Sequence, residues 1–426
     1  MATTSAIILP CLFLIAGGQN NHDWLSWGNE AILPPHSSIL EKIDTKPTLL
    51  VSGGRGNPTQ PSSIAAFNLP QMAIAEDAVI KIVEDIKHGL RYLFQTNNSN
   101  TLAIVGTGSL GIETVLDNLV EPGDTVLILL NGMWADRVKE IVTRLKGIPI
   151  PMMKPPGSIF TMEEVELEIR SKKPKIVYAV NGESSAGVFQ KVDFIGDLCH
   201  KHGCITVLDV IHIVGIQPFF MDKWKMDVVV CNTQKGIGAP VGKAPMSFSS
   251  RAVEKMTNRT TTPHTLLNDF QSWQKYNYWR LDATRPYFTH HSVPILLMYT
   301  LREGLALLSR DGLISSWKKH AESNLYLRKR LLEEFPFLTD TVTEPKNRLV
   351  GVVMLSFPNY LNSTEIRTHL IEKHNVDVNN GFGPSVGKVI RFALLGANAN
   401  FEVADKLVNV MKETFAHFNV SSSPKT

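Results

Sequence analysis

The sequence predicts an α/β fold, with a large domain built on a mostly parallel seven-stranded sheet and a smaller α+β domain behind it. Three observations carry that expectation. From about residue 47 to residue 283, short apolar runs alternate with segments of helical period, as parallel strands joined by crossover helices require. After Pro294 the pattern changes to long helices with only two strands. The length of 426 residues accommodates one large and one small domain. The expected divisions are an N-terminal extension and arm over 1–45, the large domain over 46–294 and the small domain over 295–426.

Taken in order, the apolar runs predict strands over 102–105, 125–130, 148–153, 175–180, 205–208, 227–231 and 244–248. Between them Trp134, Val138, Ile141, Val142 and Leu145 recur at helical spacing, and 194–202 reads the same way. Beyond Pro294, helices are expected over 295–308, 316–335, 363–374 and 401–418, with strands over 349–357 and 389–395. The 295–308 helix joins the two domains.

Composition narrows the function classes. Forty-three basic and 40 acidic residues are mixed along the chain for a net charge of +3, so no basic tract of the kind nucleic acid or an anionic membrane needs is present. Cys11, Cys199, Cys204 and Cys231 are too few and too irregular for a disulfide framework or a zinc site, and are expected to be buried thiols. Residues 6–16 are mostly apolar but too short to span a bilayer, and Ala16-Gly17-Gly18 offers the small residues a signal peptidase reads. Against secretion, no Lys or Arg precedes Lys42, which also argues against an Arg-rich mitochondrial presequence. The terminal Ser-Pro-Lys-Thr is not a Ser-Lys-Leu-type peroxisomal address, and the Asn-x-Ser/Thr sites at Asn97, Asn258, Asn362 and Asn419 are of a kind that arises by chance. Localisation stays open between these compartments and the cytosol.

Two residues point to chemistry. Lys235 lies where the run Val228-Val229-Val230-Cys231 breaks into Asn232-Thr233-Gln234-Lys235-Gly236, and a lysine ending a buried strand can form a Schiff base with a carbonyl cofactor. A solvated turn lysine has the same local sequence. Asp209 ends a second apolar run, and an acid there can keep a pyridine nitrogen protonated, so that the ring of pyridoxal phosphate serves as an electron sink. A third element, Gly106-Thr107-Gly108-Ser109-Leu110-Gly111, falls between a strand and a helix. Read literally it is a dinucleotide fingerprint, but the next strand ends in Asn131-Gly132 rather than the acid a ribose needs. Any phosphate suits a glycine-rich helix start, and a mere tight turn also uses glycine.

In this order the elements resemble the class V aminotransferases of pyridoxal-phosphate fold type I, and within them the alanine–glyoxylate (serine–pyruvate) aminotransferase group, with insect members nearest. The resemblance runs from about Pro34 to Phe418. It rests on Leu119-Val120-Glu121-Pro122-Gly123-Asp124, Asn131-Gly132-Met133-Trp134 and Asn181-Gly182-Glu183-Ser184-Ser185-Ala186-Gly187-Val188. Thr233-Gln234-Lys235, the stretch Tyr287-Phe288-Thr289-His290-His291-Ser292-Val293-Pro294, and Gly381-Phe382-Gly383-Pro384-Ser385 running on to Arg391 complete it.

The resemblance implies a pyridoxal-phosphate enzyme whose catalytic residues are Lys235 and Asp209. It implies that Thr107, Gly108, Ser109 and Gln234 bind the phosphate, that Trp134 and Ile211 cover the two ring faces, and that Ser184 faces the cofactor. Arg391 would clamp the substrate carboxylate with Ser184 beside it and Asn57 assisting, since a guanidinium offers two parallel donors. Surface arginine and turn asparagine beside Pro58 are the plain alternatives for those two. Thr289 and Ser292 would reach the neighbouring subunit's phosphate, which implies a homodimer with shared active sites. His290-His291 suggests no metal, because adjacent side chains diverge and no partner spacing accompanies them. Peroxisomal or mitochondrial residence follows from the resemblance alone.

Several positions depart from the family pattern. The usual Gly-Pro-Gly-Pro-Ser-Asn loop is Ser52-Gly53-Gly54-Arg55-Gly56-Asn57, the histidine after the Ser-Gly pair is Ser109, and the tyrosine before His-His is Thr289. Asp209 is followed by the bulky Val210-Ile211-His212-Ile213. Each hydrogen bond lost to a charged phosphate costs about 1.5–3 kcal/mol, so cofactor retention is expected to weaken. The function expected is transamination from alanine or serine to glyoxylate or pyruvate. The alternatives are a 3-hydroxykynurenine or kynurenine transaminase, and a weakly active or inactive relative that binds or is secreted.

Overall fold

The computed structural model describes Ser38 and residues 47–52, 60–72, 77–275 and 290–420. Strands β1 (Asn100–Gly106), β2 (Thr125–Leu130), β3 (Ile148–Met153), β4 (Ile176–Val180), β5 (Ile205–Asp209), β6 (Val228–Val230) and β7 (Gly242–Phe248) form one sheet in the order β1-β7-β6-β5-β4-β2-β3. β2, β3, β4, β5 and β6 run parallel, while β7 runs antiparallel between β1 and β6. Every residue of β4 and β5 is buried. Such unbroken apolar strands belong to a sheet covered by helices on both faces. The seven expected strands are thus all present, with ends shifted by a residue or two; the stretch expected at 227–231 is paired only over Val228–Val230.

Helices α1 (Asp77–Phe94), α2 (Gly108–Leu119), α3 (Met133–Arg144), α4 (Met162–Lys172) and α5 (Ile195–His202) flank this sheet. α1 buries Val79, Val83, Ile86, Leu90 and Leu93, a stripe at three- and four-residue spacing. α4 starts at a capping box in which Thr161 and Glu164 satisfy each other's backbone N–H groups. Neither helix is among the elements expected above, although both signals are written in the chain.

Beyond residue 294 come α6 (Ile295–Asp311), α7 (Leu313–Glu334), α8 (Ser363–His374) and α9 (Phe401–His417). A second sheet has the order Thr339–Asp340, Val353–Ser356, Val389–Phe392, Asn379–Asn380. Leu327, Leu331, Leu355, Ile390, Phe392, Leu407 and Phe415 form its core. The strand expected over 349–357 is confined to Val353–Ser356, and α7 begins three residues before the expected start at Ser316. Leu49–Leu50 pairs in parallel with Val376–Asp377, and the Val51 carbonyl accepts from the Ala393 N–H at 2.8 Å. These residues, expected in the large domain, are therefore stitched into the C-terminal core by backbone hydrogen bonds.

The cysteines need a correction. Cys199 and Cys204 are joined as a disulfide, with Cα atoms 4.6 Å apart, whereas Cys231 is a buried free thiol as expected. α5 ends in a Schellman turn at left-handed Gly203, and the Cys204 N–H bonds the Cys199 carbonyl at 3.0 Å. That turn normally brings apolar residues at these two positions together. Here it brings the two sulfurs together. Among the described residues, no helix is long and apolar enough to cross a membrane.

Candidate active site

Asp209, Lys235, Trp134, Ser184 and the Thr107–Ser109 turn all lie at or just beyond the carboxyl ends of strands of the seven-stranded sheet, where open α/β sheets leave a crevice. Asp209 is the last residue of β5 and is paired on one side with Val180 and on the other with Val230. The Asn181 N–H donates to its carbonyl at 3.0 Å, and the Val210 N–H donates to Val230 at 2.9 Å, so the backbone is held on both flanks. Its carboxylate accepts the Ile211 N–H at 2.8 Å. Burial pushes the Asp209 carboxyl up to about 7; the Ile211 N–H opposes the shift, Glu183 adds to it and Lys235 opposes it.

Lys235 lies in the loop after β6. Within that loop the Gly238 N–H bonds the Lys235 carbonyl at 3.1 Å and the Ala239 N–H bonds Thr233 at 3.0 Å. Gly236 packs so closely on the turn after β5 that any Cβ would run into the Val214 carbonyl oxygen. Only glycine permits that approach, which docks the lysine loop beside the strand carrying Asp209. Burial holds the Lys235 amine down to about 7, helped by the Arg391 guanidinium and opposed by Asp209.

Between β1 and α2, Thr107 caps the helix by accepting the Leu110 N–H on its hydroxyl at 3.4 Å. Gly108 and Ser109 occupy the first turn, where N–H groups have no acceptor within the helix and the dipole favours an anion. Thr107 and Ser109 are exposed, and Gln234 is half-buried. A Cβ at Gly108 would lie 2.8 Å from Cδ1 of Ile211, so the bare glycine lets Ile211 lean over this loop.

Trp134, in the first turn of α3, donates its indole N–H to the Ser184 hydroxyl at 3.0 Å. Arg137 lies against the indole with its guanidinium carbon 4.8 Å from the ring centre. Arg391 is buried, donates from Nη1 to the Ser184 carbonyl at 2.5 Å and from Nε to the Asn380 carbonyl at 3.0 Å. Those bonds use two of the five guanidinium donors, and a carboxylate bound edge-on needs two more. Burial lowers the Arg391 guanidinium to about 10, with Glu183 opposing.

Two participants escaped the sequence reading. Glu183 is fully buried and accepts the backbone N–H groups of Trp134 at 3.1 Å and Ala135 at 3.4 Å, so it fixes the start of α3 and with it the indole. It stands inside the Gly-Glu-Ser-Ser stretch singled out above, which was the available signal. Phe382 lies between Trp134 and Arg391; only its place beside Gly381 hinted at it.

Ser292 is exposed just ahead of α6. Asn57 and Thr289, together with Arg55, lie outside the described residues. His290 and His291 face each other, Nδ1 to Nδ1, at 2.6 Å. Among the described residues no group of three or more His, Cys, Asp or Glu is arranged to hold a metal ion. A cavity of 590 Å³ opens beside Ser109 and Trp134 and is lined further by Arg137, Ile141 and His264; Lys235 and Asp209 do not line it.

Comparison with known proteins matches residues 68–405 to the family described as Aminotransferase class-V. An alanine–glyoxylate aminotransferase of Callithrix jacchus is 36% identical over 391 residues, covering 91% of this chain and 92% of that protein. One of Drosophila melanogaster is 31% identical over 352 residues, covering 82% and 88%. The crystal structure of an alanine–glyoxylate aminotransferase from Nostoc sp. superimposes with a TM-score of 0.84 at 30% identity, over 90% of this chain and all of that one.

Proposed function

The chain belongs to the class V aminotransferases, and from that premise we propose that it carries pyridoxal phosphate and moves the amino group of alanine or serine to glyoxylate, with pyruvate as the second acceptor. The observation that carries this reading is that Lys235, Asp209 and Arg391 are all buried and that the Arg391 guanidinium and the Asp209 carboxylate both act on the Lys235 amine, although the three come from separate chain segments.

The residues fit the cofactor. A buried carboxyl pushed up to about 7 gains its charge when a cationic ring nitrogen stands against it, which suits Asp209. The helix start at Gly108 and Ser109 suits a phosphate, because its N–H groups have no acceptor within the helix. When bound, pyridoxal phosphate supplies a carbonyl for the amino group and a ring that draws electrons from the substrate Cα.

The chain supplies the rest. Lys235, held down to about 7 by burial, keeps a far larger neutral fraction near neutral pH than an ordinary lysine, and would anchor the cofactor and then carry the proton at the substrate Cα. Trp134 and Ile211 would cover the two ring faces and exclude water, while Thr107, Gly108, Ser109 and Gln234 would hold the phosphate. Arg391 binds the substrate carboxylate through its uncommitted edge, with Ser184 beside it. A homodimer would complete the site, with Ser292 reaching the neighbour's phosphate. The alanine–glyoxylate choice is supported by relatives of that name at 31–36% identity over most of the chain.

The test is formation of pyruvate from alanine and glyoxylate by the purified protein, with Lys235→Ala beside it. Lysine-dependent turnover supports the reading. Turnover confined to kynurenines, or none with any amino donor, overturns the substrate assignment.

A further inference from the structure

We propose that Phe382 is a positioning residue that sets the plane of the Arg391 guanidinium and ties it to the Trp134 indole, so that the carboxylate clamp and the ring-stacking residue move as one unit. The proposal rests on the reading of Arg391 as the carboxylate clamp.

A planar cation needs three restraints to be fully oriented. The Nε bond to Asn380 at 3.0 Å and the Nη1 bond to Ser184 at 2.5 Å fix two in-plane edges of Arg391. Neither prevents the group from tilting out of that plane. The third restraint is the Phe382 ring, whose centre lies 4.3 Å from the guanidinium carbon. A cation over a ring face is held by the ring quadrupole, and the hold strengthens when water is excluded. The remaining Nη2 edge is thereby aimed at one place.

Phe382 is itself restrained from two sides. Its N–H donates to the Ser385 hydroxyl at 2.9 Å, and the Ser385 N–H returns to the Phe382 carbonyl at 3.1 Å, closing a tight turn beneath the ring. Its ring meets Trp134 edge-on, with centres 6.0 Å apart and planes at 75°. Edge-to-face contacts of this kind are attractive beyond simple burial. Since Trp134 also bonds the Ser184 hydroxyl at 3.0 Å, the four residues close a ring: Trp134 to Ser184, Ser184 to Arg391, Arg391 to Phe382, and Phe382 back to Trp134. Two of its members come from the segment 381–391 that belongs with the C-terminal sheet, and two from the segments that follow β2 and β4.

The test compares Phe382→Leu, Phe382→Ala and Phe382→Tyr in the cofactor-loaded enzyme. Leucine keeps the apolar bulk and lacks the π face; tyrosine keeps both. The expected result is a KM for glyoxylate raised about 2- to 30-fold in the leucine and alanine variants, with kcat little changed and tyrosine restoring the normal value. With alaninamide as the amino donor, which has no carboxylate for Arg391, the variants and the parent should show the same KM for the donor. A leucine variant with an unaltered glyoxylate KM overturns the proposal, as does an equal loss with alaninamide. If Arg391→Ala leaves the glyoxylate KM unchanged, the clamp assignment fails with it; if only the Phe382 series is silent, the clamp stands and the coupling falls.

Discussion

The carboxylate of Glu183 accepts the backbone N–H of Trp134 at 3.1 Å, so an acid in the turn after one strand holds the residue that begins a helix after another. Its other oxygen accepts the Ser185 N–H at 2.9 Å and the Ser185 hydroxyl at 2.5 Å. With the Ala135 N–H at 3.4 Å, all four groups bonded to this carboxylate are donors. Burial raises the Glu183 carboxyl above the usual range while these bonds oppose it.

Glu183→Gln keeps the shape but turns one of the two oxygens into a donor facing donors. The expected loss of stability is about 1–3 kcal/mol, the cost of leaving buried polar groups unsatisfied, read by denaturant unfolding of the apo-protein. Weaker cofactor retention should accompany it, because the indole loses its anchor. An unchanged midpoint would show that the four bonds contribute nothing net.

Asp209→Asn still accepts the Ile211 N–H but cannot carry charge. Turnover should fall about 10²–10³-fold, the range for removing one preorganised electrostatic partner, while the bound cofactor remains detectable. Steady-state assay beside cofactor quantification separates the two effects.

Arg391→Lys keeps a positive charge and loses the two-pronged geometry. The KM for glyoxylate should rise about 10- to 100-fold, corresponding to about 1.5–3 kcal/mol for a lost bond to a charged group. A KM within error of the parent would remove Arg391 from the substrate site.

Lys235 titrates near 7 in the fold and at 10.5 when unperturbed, so the unfolded chain binds the extra proton between those values. Its burial therefore costs the apo-protein stability below pH 7, a cost that fades as pH rises towards 10.5. Lys235→Met should accordingly raise the apo-protein's Tm most at pH 6 and progressively less towards pH 10. A gain independent of pH would mean the amine is not perturbed.

Much of the sheet was legible because buried parallel strands read as unbroken apolar runs, and Lys235 and Asp209 stand where two of those runs end. Arg391 was legible only through the motif running on from Gly381, since nothing local distinguishes it from a surface arginine. What escaped is long-range. Glu183 acts on a backbone 49 residues away, and Phe382 acts between two residues distant in sequence. Val51 joins the C-terminal core through bonds that no local pattern announces. The Cys199–Cys204 pair was within reach, because Gly203 marks a helix end that folds the two positions together.

The most direct measurement is the visible absorbance of the purified protein mixed with pyridoxal phosphate, before and after alanine, with Lys235→Ala in parallel. A visible band that requires Lys235 and that alanine removes, with release of pyruvate, is the predicted result. A band indifferent to Lys235→Ala, or no band at all, would contradict it.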